Sequence, residues 1–177
     1  MTKQEFYNTY YNDAVEAGKV CGIDPLLLLT QAAHESAYGQ YAYGNNFHGI
    51  KKGKDWKGEV QLLKTWEESD RNDLKFPEII SITEVLKDGK IYYKYRIRDY
   101  FRKYPTPSAG FIDHAKFLLK KRYKKVVENK NNPSQYFKEL KLAGYATDSD
   151  YPERMFKIYS ELLKIHNEAN KQHEVGN

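Results

Sequence analysis

Apolar residues recur at three- and four-residue intervals through the first 39 positions, give way to alternation near position 60, and return to helical spacing after position 105. Thr2 and Glu5 form a capping-box pattern ahead of Phe6, Tyr7, Tyr10, Tyr11, Ala14 and Val15, which predicts a first helix running to Gly18. Asp24-Pro25 places a cap residue before a proline at the first helical position. It predicts a second, strongly apolar helix, LLLLTQAAHESAY, ending at Gly39. Glycines at 44, 49, 53 and 58 then break the chain, and β-formers gather in EVQLLKTWE, IISITEVL and IYYKYRIRDYF, with Asp88-Gly89 as a hairpin signal between the last two. Further on, Ser108 reads as the cap of a helix with Phe111, Ile112, Ala115, Leu118 and Leu119 on its apolar face. Ser134 reads as the cap of a short helix ending at Gly144, and a last helix starts near Pro152 with Met155, Tyr159, Leu162 and Ile165 inward. The order is helices, a β lobe over about 45–104, then helices.

Composition narrows this to one globular domain. The chain has 177 residues, 40% apolar, with 16 tyrosines and 8 phenylalanines, enough to build a core despite a mean hydropathy of −0.83. Residues 1–170 read as a single domain and 171–177 as a polar tail that frays beyond Asn167. The formal charge of +5 suits an anionic partner or a solubilising surface, and the run KKRYKK at 120–125 reads as a solvated helix face. Cys21 is the sole cysteine, so no internal disulfide forms. No segment resembles a secretory leader or a membrane span, which predicts synthesis in the cytoplasm and export by another route.

Glu35 is the residue that this pattern does not explain. It shares a helix face with Leu28, Gln31 and Ala32, and burying a carboxylate costs several kcal/mol unless it is paired, protonated or put to use. His34-Glu35 begins like a zinc motif, but Tyr38 stands where the second histidine belongs, and His48, His114, His166 and His173 show no ligand spacing. Neither a metal nor a cofactor is expected. No nucleophile elbow surrounds a serine or Cys21, and no phosphate-binding glycine loop occurs. Two readings of Glu35 stay open: a solvated or lysine-paired residue near a helix end, or an acid whose raised pKa lets it protonate a glycosidic oxygen near pH 7.

Four ordered segments, DPLLLLTQAAHESAYG, NNFHGIKKGKDWKGEVQLLKTWE, FRKYPTPSAGFIDHAKFL, and RYKKVV followed by LKLAGYATDSDYPERM, carry a resemblance across roughly residues 5–165. In them the chain resembles the glucosaminidase domain of glycoside hydrolase family 73, peptidoglycan hydrolases of the autolysin, flagellar rod-cap and phage lysin type. That resemblance implies an α+β, mainly α, lysozyme-like fold with a helical lobe and a small antiparallel β lobe, in agreement with the order of elements. It also implies that Glu35 is the general acid. The second acidic residue of the family follows a W-x-G-x-V stretch and a threonine two places before it. Trp56, Gly58, Val60, Thr65 and Glu67 match this, which makes Glu67 the candidate base or charge stabiliser. Tyr145, in AGYATD, matches a catalytic tyrosine, with a packing role as its alternative. Asn46, His48, Trp56, Tyr104 and Tyr151 are candidate sugar contacts. His48 departs from the pattern, standing where the family often has an aromatic residue, and the stretch 69–99 is longer than in short members.

The activity implied is endo-cleavage of the β-1,4 bond between N-acetylglucosamine and N-acetylmuramic acid, on the glucosamine side, by a monomer acting on peptidoglycan glycan strands, with no nucleic acid partner. Muramidase or lytic transglycosylase chemistry is one alternative and a non-catalytic wall-binding or virion module another. Phage lysis, virion delivery or a secretion system would supply the setting. Inversion and retention differ in carboxylate separation, roughly 6.5–9.5 Å against about 5–5.5 Å, and substrate assistance by the N-acetyl group is a third route. The sequence leaves all three open.

Overall fold

The computed structural model describes the backbone of residues 1–175 and the side chains of 1–172. Residues 176–177, the end of the expected polar tail, and the side chain of His173 lie outside it. Two compact units form, one from Met1–Gly49 with Tyr104–Asn177 and the other from Ile50–Lys103.

The helical unit contains α1 (Lys3–Cys21), α2 (Pro25–Glu35), α3 (Pro107–Leu118), α4 (Lys124–Glu128), α5 (Pro133–Leu142) and α6 (Tyr151–Val175). Helix α1 packs on α2 and α3, while α6 packs on α2 and α5. Their shared core includes Phe6, Leu27, Leu28, Leu29, Phe111, Phe137, Met155 and Leu162. Each such side chain contributes about 1.5–3 kcal/mol on leaving water, which is why the four-leucine run is central.

The capping box is present at α1, where Thr2 Oγ1 accepts from Glu5 N at 3.1 Å and Glu5 accepts from Thr2 N at 2.7 Å. This helix continues past Gly18 to Cys21 and stops at Gly22, whose φ of 66° suits glycine. Gly18 answers to packing instead, since a Cβ there would come within 2.9 Å of the Ile23 carbonyl. Two expected caps are displaced. Thr106, not Ser108, caps α3 by accepting from Ala109 N at 3.2 Å, and Asn132, not Ser134, caps α5 by accepting from Gln135 N at 3.2 Å. In both, a proline occupies the first helical position and the serine follows it. The KKRYKK run is split between a 3-10 turn at Lys121–Tyr123 and the start of α4, with its lysines exposed and Tyr123 buried. Helix α6 continues past Asn167, where fraying was expected, to Val175. No helix among the described residues is long and apolar enough to cross a membrane.

The sheet unit is antiparallel, with β1 (Val60–Ser69), β2 (Glu78–Lys87) and β3 (Lys90–Arg102) in the order β1-β3-β2. Asp88 and Gly89 turn the β2–β3 hairpin with φ of 50° and 74°, the geometry that favours Asp-Gly there. Tyr95 and Ile97 on central β3 are buried. Phe76 packs edge-on against Tyr95 at 5.4 Å, and the Tyr95 hydroxyl donates to the Arg71 carbonyl at 2.7 Å, tying down the segment between β1 and β2.

Candidate active site

Helix α2 ends at Glu35 instead of running to Gly39 as its apolar pattern suggested. The Ser36 hydroxyl donates to the Ala32 carbonyl at 2.6 Å and accepts from Gly39 N at 2.8 Å, which folds the chain back on itself. Ala37, Tyr38 and Gly39 then adopt φ of 48°, 55° and 84°. Two non-glycine residues in the left-handed region cost roughly 1 kcal/mol or more each, and packing of the buried Ser36 helps hold them there. Glu35 is therefore the last helical residue. Its helix is buried from Leu26 to Ala33, whereas Glu35 itself stays accessible from one side.

Protein atoms crowd the Glu35 carboxyl, which makes no hydrogen bond or ion pair among the described residues, and desolvation moves its pKa from 4.5 to about 7. Placement at the negative end of the α2 dipole acts in the same direction. The group is thus half protonated at neutral pH while remaining open to a bound molecule. Both properties are what an acid catalyst requires.

Tyr145 follows α5 in a turn through Gly144 at φ 71°. The Arg122 guanidinium donates to the carbonyls of Ala143 and, at 2.7 Å, of Gly144, and Tyr145 N donates to the Leu140 carbonyl at 2.9 Å. Burial pushes the Tyr145 phenol well up, and the Glu35 charge adds to it; the Tyr151 phenol is raised by the same two causes in that order. Glu35, Tyr145 and Tyr151 thus share one electrostatic environment in the helical unit. The two tyrosine rings lie 6.2 Å apart, and His34 meets Tyr151 edge-on at 5.7 Å. Burial, with Arg154 adding to it, lowers the pKa of His34, so this neighbour of Glu35 is neutral.

Three expected sugar contacts are packed away. Tyr151 is 2% exposed and Tyr104 4%, the latter with its hydroxyl donating to Asp113 at 2.6 Å, and His48 is stacked face to face on His114; none offers a free ring face to a sugar. Asn46 is also buried. It sits beside Asn45, whose amide donates to the Tyr104 carbonyl at 2.9 Å. Gly110 allows that approach, since a Cβ there would meet the Asn45 carbonyl at 2.2 Å. In the sheet unit, Trp56 keeps part of its ring accessible, with the Arg102 guanidinium 4.6 Å from its centroid. Glu67 on β1 is ion-paired to Lys51 at 2.7 Å, and Lys51 also meets Asp99 at 2.8 Å. Burial of Lys51 opposes its charge, but hydrogen bonds to Asp99 and Glu67 outweigh this and raise its pKa.

His114, to which its spacing in the sequence gave no role, lies beside Tyr145. Its Nε2 lies 3.1 Å from the Tyr145 hydroxyl. It falls in phase with Phe111, Ala115 and Leu118 on the buried face of α3, the same kind of polar intrusion that drew attention to Glu35.

Solved structures share this architecture. The glycoside hydrolase domain of Salmonella typhimurium FlgJ matches with a TM-score of 0.72 at 23% identity, over 99% of this chain and 98% of that one. The catalytic domain of the Listeria monocytogenes autolysin Auto matches with a TM-score of 0.66 at 25% identity, over 93% and 88%. The fold is accordingly the mainly α, lysozyme-like α+β fold. The glucosaminidase family model, described as mannosyl-glycoprotein endo-beta-N-acetylglucosaminidase, matches residues 11–164, and the chain belongs to that family of glycoside hydrolases, family 73. Relatives include the peptidoglycan hydrolase FlgJ of Vibrio parahaemolyticus, 25% identical over 90% of this chain, and the exo-glucosaminidase LytG of Bacillus subtilis, 30% identical over 82%. This chain spans 47% of the length of each.

Proposed function

We propose that the chain hydrolyses peptidoglycan at the β-1,4 bond between N-acetylglucosamine and N-acetylmuramic acid, leaving a reducing glucosamine end, with Glu35 as the general acid. The observation that carries this is the partnerless Glu35 carboxyl at the end of α2, with a pKa of about 7 and access on one side. Its proton passes to the glycosidic oxygen as the C1–O bond breaks, and water supplies the hydroxyl that ends on C1. Glu67, ion-paired to Lys51, is the base or charge stabiliser, and Tyr145 orients the acetamido group or water. Trp56 is the remaining expected sugar contact with accessible ring surface. The domain acts as a monomer on glycan strands of the bacterial wall, with no nucleic acid partner.

The test is a digest of purified cell walls with the parent protein and Glu35→Gln, read by mass spectrometry of the muropeptides. Reducing glucosamine ends from the parent and none from the variant support the reading. Muramic ends, reducing or 1,6-anhydro, overturn the bond assigned. Product length separates internal from terminal cleavage, which matters because LytG is named an exo-glucosaminidase. Wall binding by both proteins with no cleavage by either would make the domain a binding module.

A further inference from the structure

Behind Tyr145 lies a pair of histidines that the proposed reaction does not use directly. The His114 and His48 rings stack in parallel, 3.6 Å apart and 3° from coplanar orientation, and both are buried. Burial holds His48 well below its usual pKa, with His114 adding to this, and burial brings His114 down to about 3, so both rings are neutral. A neutral imidazole carries one N–H and one lone pair, and which nitrogen holds the proton follows from the partners available. His114 Nε2 faces the Tyr145 hydroxyl, whereas His114 Nδ1 is buried with no hydrogen-bond partner. A proton on Nδ1 would be a buried donor with nothing to receive it, costing about 1–3 kcal/mol, while an unfilled acceptor lone pair is tolerated more easily. The proton therefore belongs on Nε2.

We propose that His114 is a positioning residue that fixes the polarity of Tyr145. Its Nε2–H donates to the phenolic oxygen, which commits the phenol's own proton to an acceptor oxygen of the substrate or of the attacking water. Tyr145 then presents a hydrogen-bond donor, suited to an acetamido carbonyl oxygen and not to its N–H. His48 supports this by stacking. Its own Nε2 is buried without a partner, which keeps that ring's proton on Nδ1, and the parallel contact sets the plane of the His114 ring. A flat ring at position 48 is what the stack demands, and histidine meets that demand as an aromatic residue would.

The inference rests on the catalytic reading of Tyr145, so the first measurement is independent of activity. In 15N-labelled protein at pH 7, two-bond 1H–15N correlation spectra should show His114 Nδ1 as the nitrogen bearing the lone pair and Nε2 as the protonated one; the reverse assignment overturns the proposal. The second measurement is kinetic. His114→Phe, which keeps a ring to stack on His48 but cannot donate, should lose roughly 10- to 100-fold in kcat with little change in KM, matching Tyr145→Phe. The double variant should lose no more than either single one, and His114→Gln, whose amide offers a donor in a similar place, should recover most of the rate. Additive losses, or a folded His114→Phe with parental kcat, would defeat the coupling. Should His114→Phe not fold, the spectra and the His114→Gln rate decide. Full activity of Tyr145→Phe would instead refute the catalytic reading, and the spectra would still report the tautomer.

Discussion

Glu35 and Glu67 belong to the two units of the molecule and live under opposite regimes. Glu35 closes a helix buried along most of its length, has no counter-charge, and shares its surroundings with the phenols of Tyr145 and Tyr151, whose ionisation its charge disfavours further. Glu67 stands on a strand whose neighbouring segment brings Lys51 within 2.7 Å, and the same ammonium serves Asp99. Burial without a partner lets the Glu35 carboxyl keep its proton toward neutral pH, whereas Glu67 sits in an ion pair. The same residue type thus stands without a partner in one unit and in an ion pair in the other.

The largest expected effect divides the two. Glu35→Gln should lower wall cleavage by about 10³-fold or more, because its neighbours, the neutral His34 and phenols whose pKa is raised, are poor acids near pH 7. Glu67→Gln should cost roughly 10- to 100-fold, since a charge stabiliser is partly replaceable by water or an amide. Turbidity loss of purified walls gives both numbers, and equal losses would erase the distinction drawn between the two carboxylates.

The second prediction concerns the desolvated side of the comparison. The folded pKa of His114, about 3, lies below the unfolded value of 6.5, so its contribution to stability is present above pH 6.5 and is lost as pH falls toward 3. At pH 5 this amounts to about 2 kcal/mol relative to pH 7, and His114→Phe should flatten the acid limb of the stability curve by that much. Chemical denaturation at the two pH values measures it. An unchanged slope would show that the ring is hydrated enough to accept a proton without unfolding.

How far the sequence could be read follows the same division between local and distant causes. Helices, strands and the Asp88-Gly89 hairpin rest on periodicity and turn chemistry within a few residues, and these were legible. Glu35 was legible too, as a charge in phase with leucines. Ser108 and Ser134 do not cap their helices because each follows a proline at the first helical position, and the residue before that proline takes the cap, as Asp24 does before Pro25. The end of α2 was not legible, because Ala37 and Tyr38 adopt positive φ under tertiary constraint and neither residue type announces it. Nor was the partner of Glu67, since Lys51 is 16 residues away and reaches it only after β1 and β3 have paired. The buried tyrosines and His48 show the remaining limit: an aromatic side chain suited to a sugar is equally suited to a core.

On the partnered side, Lys51→Met should remove the cation shared by Glu67 and Asp99 and leave two carboxylates on one face of the sheet. These groups are part-exposed, so the cost is about 1 kcal/mol and shrinks as salt rises. Hydrogen exchange of the β1 and β3 amides around Glu67 and Tyr95 reads this locally, without relying on global unfolding. Faster exchange there, with helical amides unaffected, is the expected pattern. Unchanged exchange would mean that the ion pairs contribute nothing to the sheet.

The smallest effect is also the sharpest check on the acid. Glu35 has a folded pKa of about 7, above its ordinary 4.5, so the folded form binds the proton more tightly than the unfolded chain. Stability from this source is complete below pH 4.5 and is lost as pH rises through 7, after which the ionised carboxylate carries a constant penalty. Because the residue is open on one side, the solvent-screened penalty is on the order of 1 kcal/mol. Glu35→Gln, which cannot ionise, should therefore be inactive yet more stable than the parent at pH 8, by a few degrees in Tm, and should lose that advantage at pH 4. Activity in the parent should fall over the same interval as pH rises through about 7, since catalysis and stability read one proton. A stability gap between variant and parent that is the same at both pH values, beside a parent whose rate still declines above pH 7, would move the titrating group away from Glu35 and remove the contrast with Glu67.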